Sequence, residues 1–142
     1  MKRKKQNKVV YTYGVFDLFH YGHLRALKKA KSLGDELIIG VFTDKMAEEF
    51  KRRPIMTQKE RFKAVEEQNI GKVVYQADFL PKASNLAKYG VTVLAKAEGA
   101  GWDKNTQPYY PGIKTVLLPY TKGISTSEII KRVYDNLKQS SW

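Results

Sequence analysis

Residues 37–42 read Leu-Ile-Ile-Gly-Val-Phe, an apolar run without alternation, and a strand of that kind needs cover on both faces of its sheet. The sequence just upstream supplies one covering element. Residues 9–13, Val-Val-Tyr-Thr-Tyr, are β-branched and aromatic and stop at Gly14, which predicts a first strand. A helix is predicted from about residue 22 to residue 33, with Leu24, Leu27, Ala30 and Leu33 on one face, lysines on the other and Gly34 as the stop. Strand, helix and buried strand together make a βαβ unit.

The pattern repeats downstream. Thr57-Gln58-Lys59-Glu60 has the form of a capping box and opens a helix through about residue 67, followed by a short strand at 73–75. A helix at about 83–89 leads through Gly90 to a strand at 91–95, and a strand at 115–118 precedes a last helix from about 126 to 137. Residues 99–112, with glycines, an asparagine and two prolines, are predicted as a long loop of the kind that is often functional in compact domains. The alternation predicts an α/β fold: a mostly parallel sheet flanked by helices on both faces, with ligands beyond the carboxyl ends of the strands. No internal repeat or linker divides it, so a single domain over residues 9–142 is expected behind a basic tail at residues 1–8.

The 142 residues contain no cysteine, which removes disulfides, iron–sulfur clusters and thiolate zinc sites and fits a reducing compartment. The longest apolar stretch is far too short to cross a bilayer, and the opening residues run into a strand without the apolar segment of a secretory signal. A cytoplasmic protein without a membrane segment is expected. The formal charge of +12 calls for a polyanionic partner, and nucleic acid, an anionic membrane or phosphorylated metabolites would each satisfy it.

Both histidines of the chain, His20 and His23, fall in the loop after the first strand, at the entrance to a helix. Such an entrance offers unpaired backbone N–H groups and the positive end of the helix dipole, so it suits phosphate. Two imidazoles there can donate hydrogen bonds to phosphoryl oxygens whose charge grows in a transition state. Gly22 between them would let the backbone approach a nucleotide closely. The plainer alternative is that the histidines only cap or pack. A zinc site with Asp17 as third ligand has few candidates to complete it, and no metal ligand is assigned.

The run Gly14-Val15-Phe16-Asp17-Leu18-Phe19-His20-Tyr21-Gly22-His23 resembles the GxFDxxHxGH motif of the cytidylyltransferase family, in particular of its small glycerol-3-phosphate cytidylyltransferases. Tyr120-Thr121-Lys122-Gly123-Ile124-Ser125-Thr126 resembles the family's second motif, RTEGIST, and Gly34-Asp35, Thr43-Asp44 and the segment 54–61 follow its spacing. Two motifs in the right order at predicted strand ends are far more specific than either alone. The resemblance covers nearly the whole chain. It implies a Rossmann-like nucleotidyltransferase fold, usually dimeric, that transfers CMP from CTP to glycerol 3-phosphate or a similar alcohol phosphate.

Residue by residue, it implies that His20 and His23 contact the triphosphate and stabilise the reacting α-phosphoryl group. Asp17 would hold the loop or help position the metal-bound nucleotide, with Gly14, Val15, Phe16 and Gly22 lining it. Arg61 matches a family arginine on the substrate side and is assigned a catalytic and substrate-binding role. Lys51, Arg52 and Arg53 occupy the segment where the family keeps substrate-binding or catalytic lysines. Ser125, Thr126 and Ser127, beside Gly123 and Ile124, would bind the β- and γ-phosphates, although Ser125 with Glu128 is also an ordinary capping box. An acceptor phosphate is already ionised and needs no protein nucleophile to activate it. The protein has to position and neutralise, with Mg²⁺ bridging the phosphates and pyrophosphate leaving.

Three departures bear on specificity. Tyr120 stands in place of the family arginine, losing a fixed charge and a bidentate donor. Lys122 nearby is read as restoring that charge, which leaves Tyr120 as a specificity determinant. Val15 replaces a small hydroxyl residue, and Lys96-Ala97-Glu98-Gly99-Ala100-Gly101-Trp102 stands where a GDDW-like stretch helps recognise the base. Glu98 is retained as a nucleotide contact, beside an ordinary surface-loop reading of Glu98 and Trp102. Two alternatives stand beside the main reading: a sugar-phosphate adenylyltransferase using ATP, and a basic nucleic-acid-binding module with a degenerate nucleotide site. The charge and the Tyr and Trp residues support the second, but no nucleic-acid motif accompanies them.

Overall fold

A computed structural model describes residues 7–97, 102 and 105–139. In chain order the elements are β1 (Val9–Gly14), α1 (Tyr21–Lys31), β2 (Glu36–Phe42), α2 (Asp44–Phe50), α3 (Gln58–Glu66) and β3 (Lys72–Gln76). They continue with α4 (Ala83–Lys88), β4 (Val93–Ala97), β5 (Lys114–Leu118) and α5 (Thr126–Lys138). The strands form one sheet in the order β3-β2-β1-β4-β5, with every neighbouring pair parallel.

Period-two alternation along β1 divides the core into two layers. Val9, Tyr11 and Tyr13 pack with Met46 and Ala47 of α2 and Leu86 of α4. Val10 packs on the other face with Leu27 and Ala30 of α1 and Val65 of α3. β2 contributes Ile38 and Phe42 to the first layer and Leu37, Ile39 and Val41 to the second, which is why its sequence shows no alternation. From β1 the chain builds outward through β2 and β3, then returns to add β4 on the other side of β1. The carboxyl ends of β1 and β4 therefore flank a topological switch point, where ligands of open α/β sheets bind.

Four features differ from the sequence expectations. α2 follows β2 directly, capped by the Thr43 hydroxyl accepting from the Met46 N–H at 3.2 Å; seven residues are too few to display a helical period. β4 begins at Val93 rather than at residue 91, because the Val91 N–H turns back to the Leu86 carbonyl at the end of α4. Trp102 is no surface-loop residue: it is 3% exposed, and its indole N–H donates to the Tyr13 hydroxyl at 2.9 Å. Asn7 and Lys8, assigned to the basic tail, are tied to the turn before β2. The Lys8 N–H donates to Asp35 at 2.8 Å and the Asn7 amide to Glu36 at 2.9 Å. Among the described residues, no helix is long and apolar enough to cross a membrane.

Candidate active site

A cleft of about 440 Å³ opens over the carboxyl ends of β1 and β4, between the N-termini of α1 and α5. The loop from Val15 to Phe19 forms one wall. Phe16 (φ 57°) and Leu18 (φ 49°) both adopt the left-handed backbone conformation, which non-glycine residues take only where surrounding structure holds them. Asp17 between them supplies that hold. Its carboxylate accepts from the Ile55 N–H (2.8 Å) and the Met56 N–H (2.9 Å), and its own carbonyl accepts from the Thr126 hydroxyl at 2.9 Å. With both oxygens engaged by backbone donors, Asp17 is a loop clamp, the first of its two expected roles.

His20 and His23 are positioned by the start of α1. Nδ1 of His20 accepts from the Gly22 N–H and Nδ1 of His23 from the His20 N–H, both at 3.1 Å, so the two rings form a reciprocal capping box. The rings stack with centroids 3.8 Å apart. Burial lowers the pKa of His20; burial together with the nearby charge of His20 pushes His23 down to about 3. Both rings are neutral at pH 7. Since each Nδ1 accepts a hydrogen bond, the proton is assigned to each Nε2, which makes both Nε2–H groups donors. Nε2 of His20 lies 3.4 Å from the Thr126 hydroxyl oxygen. Gly22 is required by the rings themselves, since a Cβ there would sit 2.9 Å from the His20 ring and 3.1 Å from Ile124.

The opposite wall is the start of α5. The Ser125 hydroxyl caps it by accepting from the Glu128 N–H at 3.2 Å. Gly123 adopts φ 92° in the turn before it, a conformation that favours glycine. Arg52 spans the cleft mouth, donating from Nη1 to the Ser127 hydroxyl at 3.3 Å, and its buried Nε has no hydrogen-bond partner. Lys51 and Tyr120 line the cleft and are exposed.

Three expectations are displaced, and a fourth falls outside the described residues. Arg61 is fully buried and does not line the cleft. Its guanidinium donates to the carbonyls of Met56 (3.1 Å), Val15 and Phe42 (both 2.8 Å) and pairs with Asp44 at 2.8 Å. It braces the histidine loop against β2 and α2, with its side chain closed off from solvent. Arg53 and Lys122 are exposed and lie outside the cleft lining. Glu98 lies outside the described residues. Lys96, quoted from the sequence only as the first residue of the stretch in place of the base-recognition motif and given no role there, lines the cleft near the end of β4. A second sequence signal is a lysine inside the apolar strand Val-Leu-Ala-Lys-Ala.

Residues 11–132 match the cytidylyltransferase-like family. The chain belongs to that family. Among its curated relatives, a probable ethanolamine-phosphate cytidylyltransferase of Encephalitozoon cuniculi is 36% identical over 87% of this chain and 40% of that protein. A glycerol-3-phosphate cytidylyltransferase of Bacillus spizizenii is 33% identical over 87% of this chain and 95% of that protein. Choline-phosphate cytidylyltransferase A of Homo sapiens is 35% identical over 87% of this chain and 36% of that protein. The chain thus spans about two-fifths of the ethanolamine-phosphate relatives and nearly all of the glycerol-3-phosphate one. In fold it is similar to the lipopolysaccharide core biosynthesis protein of Thermoplasma volcanium. The TM-score is 0.66 at 22% identity, covering 84% of this chain and all of that one. In this chain the two histidines and the start of α5 face the cleft from opposite walls, with Asp17 accepting the bonds that clamp the loop between them.

Proposed function

We propose that this chain transfers CMP from CTP to a phosphorylated alcohol and releases pyrophosphate. The observation that carries the reading is the histidine pair: two neutral rings, locked through Nδ1 by backbone donors, present Nε2–H groups at a cleft between two helix N-termini. Donors fixed before the reaction stabilise developing charge without reorganising during it. In the proposed step an oxygen of the acceptor phosphate attacks the α-phosphorus in line. The bond from the α-phosphorus to its bridging oxygen breaks, and the electron pair leaves on pyrophosphate. His20 and His23 donate to the α-phosphoryl oxygens, while Ser125, Thr126 and Ser127 with the N-terminus of α5 hold the leaving phosphates. Arg52, with an unpartnered donor, is suited to the acceptor phosphate.

Magnesium enters this reading as part of the substrate, MgCTP. Among the described residues no three His, Cys, Asp or Glu side chains converge, and the Asp17 oxygens are engaged, so the phosphates themselves would supply most of the ligands. A homodimer in a cytoplasmic setting belongs to the same proposal; the cysteine-free sequence suits that setting, and sedimentation tests the dimer. The reaction is tested by pyrophosphate release from CTP, ATP, GTP and UTP, each with Mg²⁺ and a panel of alcohol and sugar phosphates. CTP should be preferred, and release should require the acceptor. Absence of turnover with every combination rules the reading out.

A further inference from the structure

Lys96 is a buried cation that nothing in the proposed phosphate chemistry uses. It is the next-to-last residue of β4, on the same face of the sheet as Leu94, in the layer that holds Tyr13, Phe42 and α2. Its ammonium donates to the Tyr13 carbonyl at 2.8 Å and lies 4.0 Å from the Tyr13 ring centroid and 5.9 Å from that of Phe42. It is 4% exposed, and among the described residues no carboxylate pairs with it. Three donors with one acceptor leave two N–H groups beside a cleft. A buried ammonium that no described carboxylate pairs with is costly unless another group completes its shell, and burial here lowers the pKa to about 7.

The cleft has two halves. The half beside α1, with Ala26, Leu27, Pro119, Tyr120 and Ile124, is apolar and aromatic and fits a base and ribose. The half beside α2 runs from Lys51 and Arg52 past Phe50 and Phe42 to Lys96. An acceptor lying along this half with its phosphate at Arg52 would bring its alcohol end toward Lys96. Asp17 is the sole acid among the described residues lining the cleft, and both its oxygens already accept backbone bonds.

From this arrangement we infer that Lys96 selects the acceptor, favouring alcohol phosphates whose far end presents oxygen acceptors, as a polyol or carboxylate does, and rejecting those that end in an ammonium group. The inference rests on the cytidylyl-transfer reading above and narrows its substrate class. A cationic head would meet a like charge where the described lining offers no free carboxylate, whereas a hydroxyl or carboxylate oxygen would supply the missing bonds.

The test compares the full chain with Lys96→Met, which keeps length and removes the charge, and Lys96→Gln, which keeps a neutral donor. Turnover with MgCTP and calorimetric binding without CTP are measured for glycerol 3-phosphate, 3-phosphoglycerate, phosphoethanolamine and phosphocholine. The unaltered chain should prefer the oxygen-ended pair. Lys96→Met should weaken their kcat/KM and binding about tenfold or more and narrow the preference, with Lys96→Gln between the two and KM for CTP nearly unchanged. Preference for an ammonium-ended acceptor, or an equal loss for all four acceptors, overturns the inference while the transfer reaction stands. Lys96-dependent binding of the oxygen-ended pair without turnover overturns the reaction and leaves the subsite. If none of the four binds or turns over, the inference falls.

Discussion

The two walls of the cleft are built on opposite principles. The wall that carries His20 and His23 is fastened to the interior: α1 buries Leu27 and Ala30, and Arg61 and Asp17 hold the loop through buried bonds. The wall that carries Ser125 and Thr126 is the start of a helix that buries no residue, with Val133, Tyr134 and Leu137 exposed. It reaches the rest of the site through the Thr126 and Arg52 bonds. One wall is preorganised and the other is held at its edge. Chemistry that depends on donors fixed to a fraction of an ångström belongs on the first, and phosphates that must arrive and leave belong beside the second.

The sharpest test of that contrast removes the donors of the fixed wall. His20→Ala and His23→Ala should each lower kcat by roughly 10²–10³. Each also breaks the capping box and should cost about 1 kcal/mol of stability. A turnover loss no larger than the stability loss explains would break the assignment. Removing the brace should act differently. Arg61→Ala leaves three carbonyls and Asp44 without their donor and should lower unfolding free energy by about 3 kcal/mol in urea titration, with activity lost through the loop.

The fixed wall should also be sensitive to acid. The folded-state pKa of His23, about 3, lies below the ordinary histidine value of 6.5, so the unfolded chain takes up the proton first. Its contribution to stability is therefore complete above about pH 6.5 and is lost as pH falls from there toward 3. Chemical denaturation across that range should show the slope, and His23→Asn, which keeps a capping group but does not titrate, should flatten it.

Changes in the edge-held wall should be the mildest. Thr126→Val and Ser127→Ala should raise KM for CTP several-fold, a cost of about 1 kcal/mol, with kcat little altered. Tyr120→Arg should lower KM for CTP by less than tenfold and leave acceptor choice unchanged. Lys122 is exposed and outside the cleft lining, beside the lining residue Thr121, and a change of acceptor choice in Tyr120→Arg would instead mark Tyr120 as the acceptor determinant. A larger effect on kcat from these three than from the histidines would invert the comparison.

The five strands, the helices α1, α3, α4 and α5, the parallel sheet and the histidine loop at the end of β1 were legible in the sequence alone, while α2 was not. Each rests on short-range patterns: an apolar run without alternation at β2, a capping box at Thr57, a glycine closing a strand. Where side chains go once the layers close was not legible. Arg61 had the chemistry of a substrate ligand, and only the packing of α3 against β2 turned its guanidinium inward to meet three carbonyls. Trp102, in a sequence rich in turn residues, was drawn into the core by the hydroxyl of Tyr13, 89 positions away. Lys96 carried the opposite surprise, a lysine in a strand that the register beside β1 delivers to the cleft. Local sequence determines which elements form because backbone propensity and periodicity are short-range; the tertiary structure decided these three residues because their partners come from distant strands and loops.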